Sequence, residues 1–129
     1  MASGLDLFES RIDHIDFADG VAKIHFSHAY IRKAKGKLGT TSDTVWSREA
    51  ELVLWKAAVS NPLPSFPNTI VEGFLEVGGI RHEVIPLPFV RKVGARLCLQ
   101  FADGAELEIV GEKPIVELLG APIYLGELS

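Results

Sequence analysis

The stretch Ala95-Arg96-Leu97-Cys98-Leu99-Gln100-Phe101-Ala102-Asp103-Gly104-Ala105-Glu106-Leu107-Glu108-Ile109 reads as two short strands and the turn between them. Ala95, Leu97, Leu99 and Phe101 alternate with polar residues on one arm, and Ala105, Leu107 and Ile109 do so on the other. A period of two is the mark of a strand with one buried face. The two apolar faces meet only if Ala102-Asp103-Gly104 is a three-residue loop with Gly104 in a left-handed bulge position. That register sets Gln100 opposite Glu106, and Cys98 opposite Glu108.

The same punctuation recurs. Asp19-Gly20 and Gly78-Gly79 each stand between alternating runs and supply a glycine where a tight hairpin turn needs positive φ. A two-residue turn at Asp19-Gly20 brings Ala22 opposite Phe17 and Ile24 opposite Ile15, with Asp16 facing Lys23 and His14 facing His25. Around Gly78-Gly79, Val77 meets Ile80, Leu75 meets His82, and Glu76 faces Arg81 as an opposite-charge pair. The repeated tetrapeptide at Phe17-Ala18-Asp19-Gly20 and Phe101-Ala102-Asp103-Gly104 reflects repeated turn chemistry, since the flanks differ.

Strands are expected near 10–17, 21–31, 70–77, 80–87, 95–101, 105–110 and 114–119. Residues 47–59 admit two readings: a short helix capped by Ser47 with Leu52, Trp55 and Val59 on one face, or a strand in which Ala50, Leu52 and Leu54 alternate. The alternation favours the strand. Lys33 to Val45 and Ser60 to Asn68 read as long surface loops, and residues 1–9 as a loosely ordered N-terminus. About seven or eight short strands joined by glycine turns predict a single all-β domain over 1–129, an antiparallel barrel or sandwich.

Composition agrees. The 129 residues are 47% hydrophobic and 23% charged, with seven Phe and two Trp, which is ample for one core. The longest charge-free stretch, Ala57 to Val71, is too short for a membrane span and is broken by Pro62, Pro64 and Pro67. With no signal-peptide pattern and a single cysteine, Cys98, the expected setting is the reducing cytoplasm. The net charge of −4 argues against a nucleic-acid backbone as the main partner.

Two groups of residues stand out as candidate sites. His14 and His25, cross-strand neighbours in the two-residue register, share a face with Asp16 and lie within reach of one metal ion, whereas a three-residue turn would pair His25 with Asp13 and dissolve the site. His28 and Tyr30 share the core face of Ile24 and Phe26 and run toward a basic stretch of Arg32, Lys33, Lys35 and Lys37, with Trp46 beyond it. These form a candidate ligand site at the mouth of a barrel, because long loops on rigid β-scaffolds carry function disproportionately. Cys98 has no neighbouring base, and Glu72, Glu76, Glu106 and Glu108 read as outward positions. There is no phosphate loop, dinucleotide fingerprint, nucleophile elbow or paired-cysteine motif, and His82-Glu83 lacks the second histidine of a zinc-protease helix. No cofactor is specified.

The runs Phe26-Ser27-His28-Ala29-Tyr30-Ile31, Gly39 to Trp46, Ile85-Pro86-Leu87-Pro88, Phe101-x-Asp103-Gly104 and Leu118-Leu119-Gly120 give the chain its resemblance to a group of small, uncharacterised bacterial all-β proteins. The similarity spans most of residues 10–125. It implies a bacterial cytoplasmic setting and carries over no site residue. The residues themselves favour a non-catalytic module that binds a small molecule or a protein. The alternatives are an enzyme, metal-assisted through the first hairpin, and a structural protein that docks onto its own copy.

Overall fold

A computed structural model of the protein describes residues 2–36, 38, 43–59 and 62–128. Every regular element among them is a strand: β1 (Ala2–Ala18), β2 (Val21–Ala34), β3 (Asp43–Val59), β4 (Asn68–Val77), β5 (Ile80–His82), β6 (Val84–Leu87), β7 (Gly94–Phe101) and β8 (Glu106–Leu128). They form one antiparallel sheet in the order β5-β4-β7-β8-β3-β2-β1-β6, and a further pairing of β4 with β1 brings its two ends together. The protein is all-β, and the sheet is ring-like. Among the described residues no helix is long and apolar enough to cross a membrane.

The ring closes because β1 divides its free edge between two neighbours. Ser3 to Asp6 pair with β6, Arg11 and Ile12 pair with β4, and β2 runs along the opposite edge. Closure leaves one shared interior, filled by buried Leu5, Leu7, Phe26, Leu52, Phe89 and Phe101 among others. Burying that much apolar surface is what selects the ring over an open sheet with a greasy face and two bare edges.

All three hairpins take the expected registers. Cys98 faces Glu108 and Gln100 faces Glu106, with Gly104 at φ 89° and the amide of Gly104 donating to the Phe101 carbonyl at 2.9 Å. Ile15 faces Ile24, Asp16 faces Lys23 and His14 faces His25. Glu76 faces Arg81, and the two are joined by an ion pair of 3.1 Å.

Residues 47–59 lie in strand β3, as the alternation favours, and β3 pairs on both sides, so the helical alternative does not form. Several expectations need correction. Residues 2–9 are part of β1 and bury Leu5 and Leu7 completely, so they are not a loose terminus. The run 80–87 breaks at Glu83 into β5 and β6, because its halves serve different partners, β4 and β1. Residues 106–110 and 114–119 are both part of one long strand, β8, which starts one residue later than expected. The basic loop is also shorter than expected, since β2 extends to Ala34 and β3 begins at Asp43.

Candidate functional site

Two places on the outside of the ring hold unusual side-chain arrangements, and both are made by β-bulges between β1 and β2. Such bulges re-aim side chains by inserting a residue into one strand of a pair.

At the first, Ile12 pairs with Phe26 and His14 with His25, so Asp13 is an extra residue on β1. Asp13 and His14 therefore both lie against His25. The two imidazoles stack with centroids 4.6 Å apart and planes 17° from parallel. His25 Nδ1 lies 2.5 Å from Asp13 Oδ1, and its Nε2 lies 2.6 Å from Glu49 Oε2 on β3. His14 Nδ1 lies 3.3 Å from Asp13 Oδ2, and its Nε2 lies 3.5 Å from Asp16 Oδ2. One ligand atom each from Asp13, His14 and His25 can be chosen so that all lie within 4.8 Å of one another.

The electrostatics of this cluster follow from its geometry. Burial of the His25 ring works against its charged form, but hydrogen bonds to Asp13 and Glu49 outweigh it and raise the imidazole above its ordinary value. Burial likewise opposes ionisation of Asp13, and the hydrogen bond and charge of His25 outweigh it, leaving the carboxyl below its ordinary value. Stability from the raised histidine is complete below the unfolded value of 6.5 and is lost as pH rises through the folded value. Stability from the lowered carboxylate is complete above the unfolded value of 3.8 and is lost as pH falls through the folded one. Chemical denaturation in the presence of a chelator should therefore show a contribution from this cluster that is greatest between these two unfolded values. A His25→Gln variant should lose the decline above the upper one; an unchanged alkaline limb in the variant would contradict this account.

At the second place, Asp6 pairs with Tyr30 and Arg11 with His28, so β1 carries three extra residues between these pairs. Glu9 takes φ 69° there. The Ser10 hydroxyl fills the interrupted ladder: it accepts the Tyr30 amide at 3.0 Å and donates to the Asp6 carbonyl at 2.6 Å. Leu7 points to the core, while Phe8 is pushed outward and is 54% exposed. Two open clefts share Phe8, Asp6 and Arg32. One, of about 290 Å³, adds Glu9, Tyr30 and Val45; the other, of about 410 Å³, adds Val71, Glu72, Gly73, Glu83 and Val84. Burial holds the Asp6 carboxyl above its ordinary value, against the Phe8 amide and the Arg32 charge.

The candidate ligand residues do not assemble at one mouth. A bulge at Ser27 shifts the phase of β2, so Ala29 and Ile31 follow Phe26 into the core while His28 and Tyr30 face outward, which corrects their assignment to the core face. His28 Nδ1 lies 3.2 Å from the Ser47 hydroxyl. Tyr30 and Arg32 join the Phe8 clefts instead. Arg32 is anchored by Asp43 at 2.7 Å and Asp6 at 3.8 Å. Lys33 places its ammonium 4.6 Å from the Trp46 ring centroid, and Tyr124 meets that ring edge-on at 5.1 Å. Lys35 is exposed, and Lys37 lies outside the described residues. Of the candidate metal set, Asp16 reaches His14 alone, and Asp13, the bulge residue, bridges the Nδ1 atoms of the two rings.

Phe8, Asp13 and Glu49 were not among the candidates read from the sequence. For Asp13 a signal exists: Ile12 and Ile15 are three apart, and an apolar spacing of three inside an alternating run marks an inserted residue. The chain matches no protein-family model, no curated protein and no solved structure.

Proposed function

We propose that the domain is a non-catalytic binding module that takes a small molecule with an apolar body and a positive charge in the clefts on either side of Phe8. The observation that supports this reading is the exposed Phe8 ring on its bulge, the wall common to two clefts of ligand size. Exposed Val71 extends the apolar surface across the larger cleft. The polar complement is acidic: among the described residues Asp6, Glu9, Glu72 and Glu83 line the clefts against one cation, Arg32, which Asp43 and Asp6 already engage. Such a rim favours a cationic guest and disfavours an anionic one.

Titration of isotopically labelled protein with small aromatic and branched aliphatic amines, followed by amide shifts, tests this. Shifts are expected at residues 6–9, 30–32, 71–73 and 83–84, weakening with salt. Phe8→Ala should reduce affinity by roughly 10–100-fold, since covering one phenyl ring contributes about 1.5–3 kcal/mol. Shifts scattered over the surface, or an affinity indifferent to Phe8→Ala, would remove the reading.

A further inference from the structure

We propose that Asp13, His14 and His25 form a binding site for one divalent transition-metal ion of the zinc class, with Glu49 holding the His25 imidazole from behind. The site is separate from the Phe8 clefts and does not depend on them.

The donors are two imidazole nitrogens and a carboxylate, a set that suits zinc, cobalt, nickel or copper and not the all-oxygen shells of calcium or magnesium. Both Nδ1 atoms face the two oxygens of one carboxylate, Asp13, at 2.5 and 3.3 Å. Both Nε2 atoms face away, each toward a second carboxylate: Glu49 at 2.6 Å and Asp16 at 3.5 Å. A histidine that donates its far N–H to a carboxylate has its tautomer and ring plane fixed, and its near nitrogen is the more basic ligand for it. His25 is such a histidine through Glu49, and His14 brings a second imidazole to the same Asp13 carboxylate, with Asp16 at an ion-pair distance of 3.5 Å.

Around them the charges favour a cation. Glu51 pairs with His25 across β2 and β3, and Glu117 pairs with Glu51 across β3 and β8; the cross-strand cation is Lys23, opposite Asp16. Capture of the ion at His25 Nδ1 requires that nitrogen without its proton, which leaves to solvent, and turns the His14 ring out of the stack, since parallel rings cannot aim in-plane lone pairs at one point. His14, with its side chain 49% exposed, is free to turn, whereas His25, at 13%, is held by β3 and stays. The remaining coordination positions open to solvent.

The rival explanation is a charged His25 clamped between Asp13 and Glu49 with no ion involved, and the experiment separates the two. Chelator-treated full-length protein is titrated with Zn²⁺ by calorimetry and with Co²⁺ by visible absorption. Uptake of one ion per chain is expected, with a cobalt spectrum of low-symmetry nitrogen and oxygen ligation. His14→Ala and Asp13→Asn should each weaken binding more than about 100-fold, and Glu49→Gln by roughly 10–100-fold. His28→Ala and His82→Ala should leave it unchanged. Thermal unfolding in chelator verifies that each variant is folded, and exposed His14 gives a variant that keeps the core intact. Uptake below one ion per chain, or uptake that survives both His14→Ala and Asp13→Asn, would overturn the metal site in favour of the clamp.

Discussion

Deletion of residues 2–9 is expected to abolish cooperative unfolding altogether. The segment looks dispensable, being short, terminal and rich in small or polar residues, yet Leu5 and Leu7 are wholly buried within the ring. Replacing a buried leucine by alanine costs about 2.7–5 kcal/mol, so the two side chains together represent roughly 5–10 kcal/mol. A domain of this size is stable by only about 5–15 kcal/mol. The backbone loss adds to this, because Ser3 to Asp6 supply the partner for β6 and the segment also pairs with the end of β2. Urea denaturation followed by Trp fluorescence, alongside amide dispersion by NMR, should show no sigmoidal transition for the truncated chain. A truncated domain that unfolds cooperatively within about 2 kcal/mol of the full one would mean that this half of β1 is not part of the core.

The hairpins were legible in the sequence and the long strands were not, for a reason that lies in range. A turn such as Phe101-Ala102-Asp103-Gly104-Ala105 is decided locally: one residue must take positive φ, and the flanking alternation fixes the register. Where the chain departs from period two, the signal changes character. Phe26 and Ala29 are three apart and both buried, and buried Ile12 and partly buried Ile15 straddle Asp13-His14 with the same spacing. Read as uninterrupted alternation, the first break puts His28 and Tyr30 on the core face; read as an inserted residue, it puts them outside, where they are found. Leu5 and Leu7 did alternate with Asp6, but two positions cannot establish a period without knowledge of the partner strand.

The candidate sites were legible only in part because they depend on partners distant in the chain. That His14 faces His25 follows from one turn, and the turn is visible. That Glu49 reaches His25 Nε2 depends on the pairing of β2 with β3, and the alternation that favours a strand over residues 47–59 does not say which strand it joins. The basic run illustrates the opposite failure. Arg32 and Lys33 look like a ligand-seeking pair, but opposite sides of the strand give them separate occupations: Arg32 serves the carboxylates of Asp43 and Asp6, and Lys33 covers Trp46.

That occupation of Arg32 leads to the second large expected effect. Asp43→Ala should destabilise the domain by about 3–5 kcal/mol, the usual cost of breaking a buried ion pair from one side. Asp43 is 1% exposed and lies 2.7 Å from the guanidinium, whereas the remaining carboxylate, Asp6, is 3.8 Å away. The Arg32 Nε is itself buried without a hydrogen-bond partner among the described residues, so the guanidinium depends on Asp43 for its closest compensation. Removing the orphaned charge should reverse part of the damage. In the Asp43→Ala background, Arg32→Met is expected to restore stability, giving a double variant less destabilised than the sum of the two single changes. Urea denaturation of the four proteins in the cycle measures that coupling. A coupling near zero would mean that Arg32 finds adequate compensation in Asp6 and solvent, and that the cost of Asp43→Ala comes from the other contacts of Asp43.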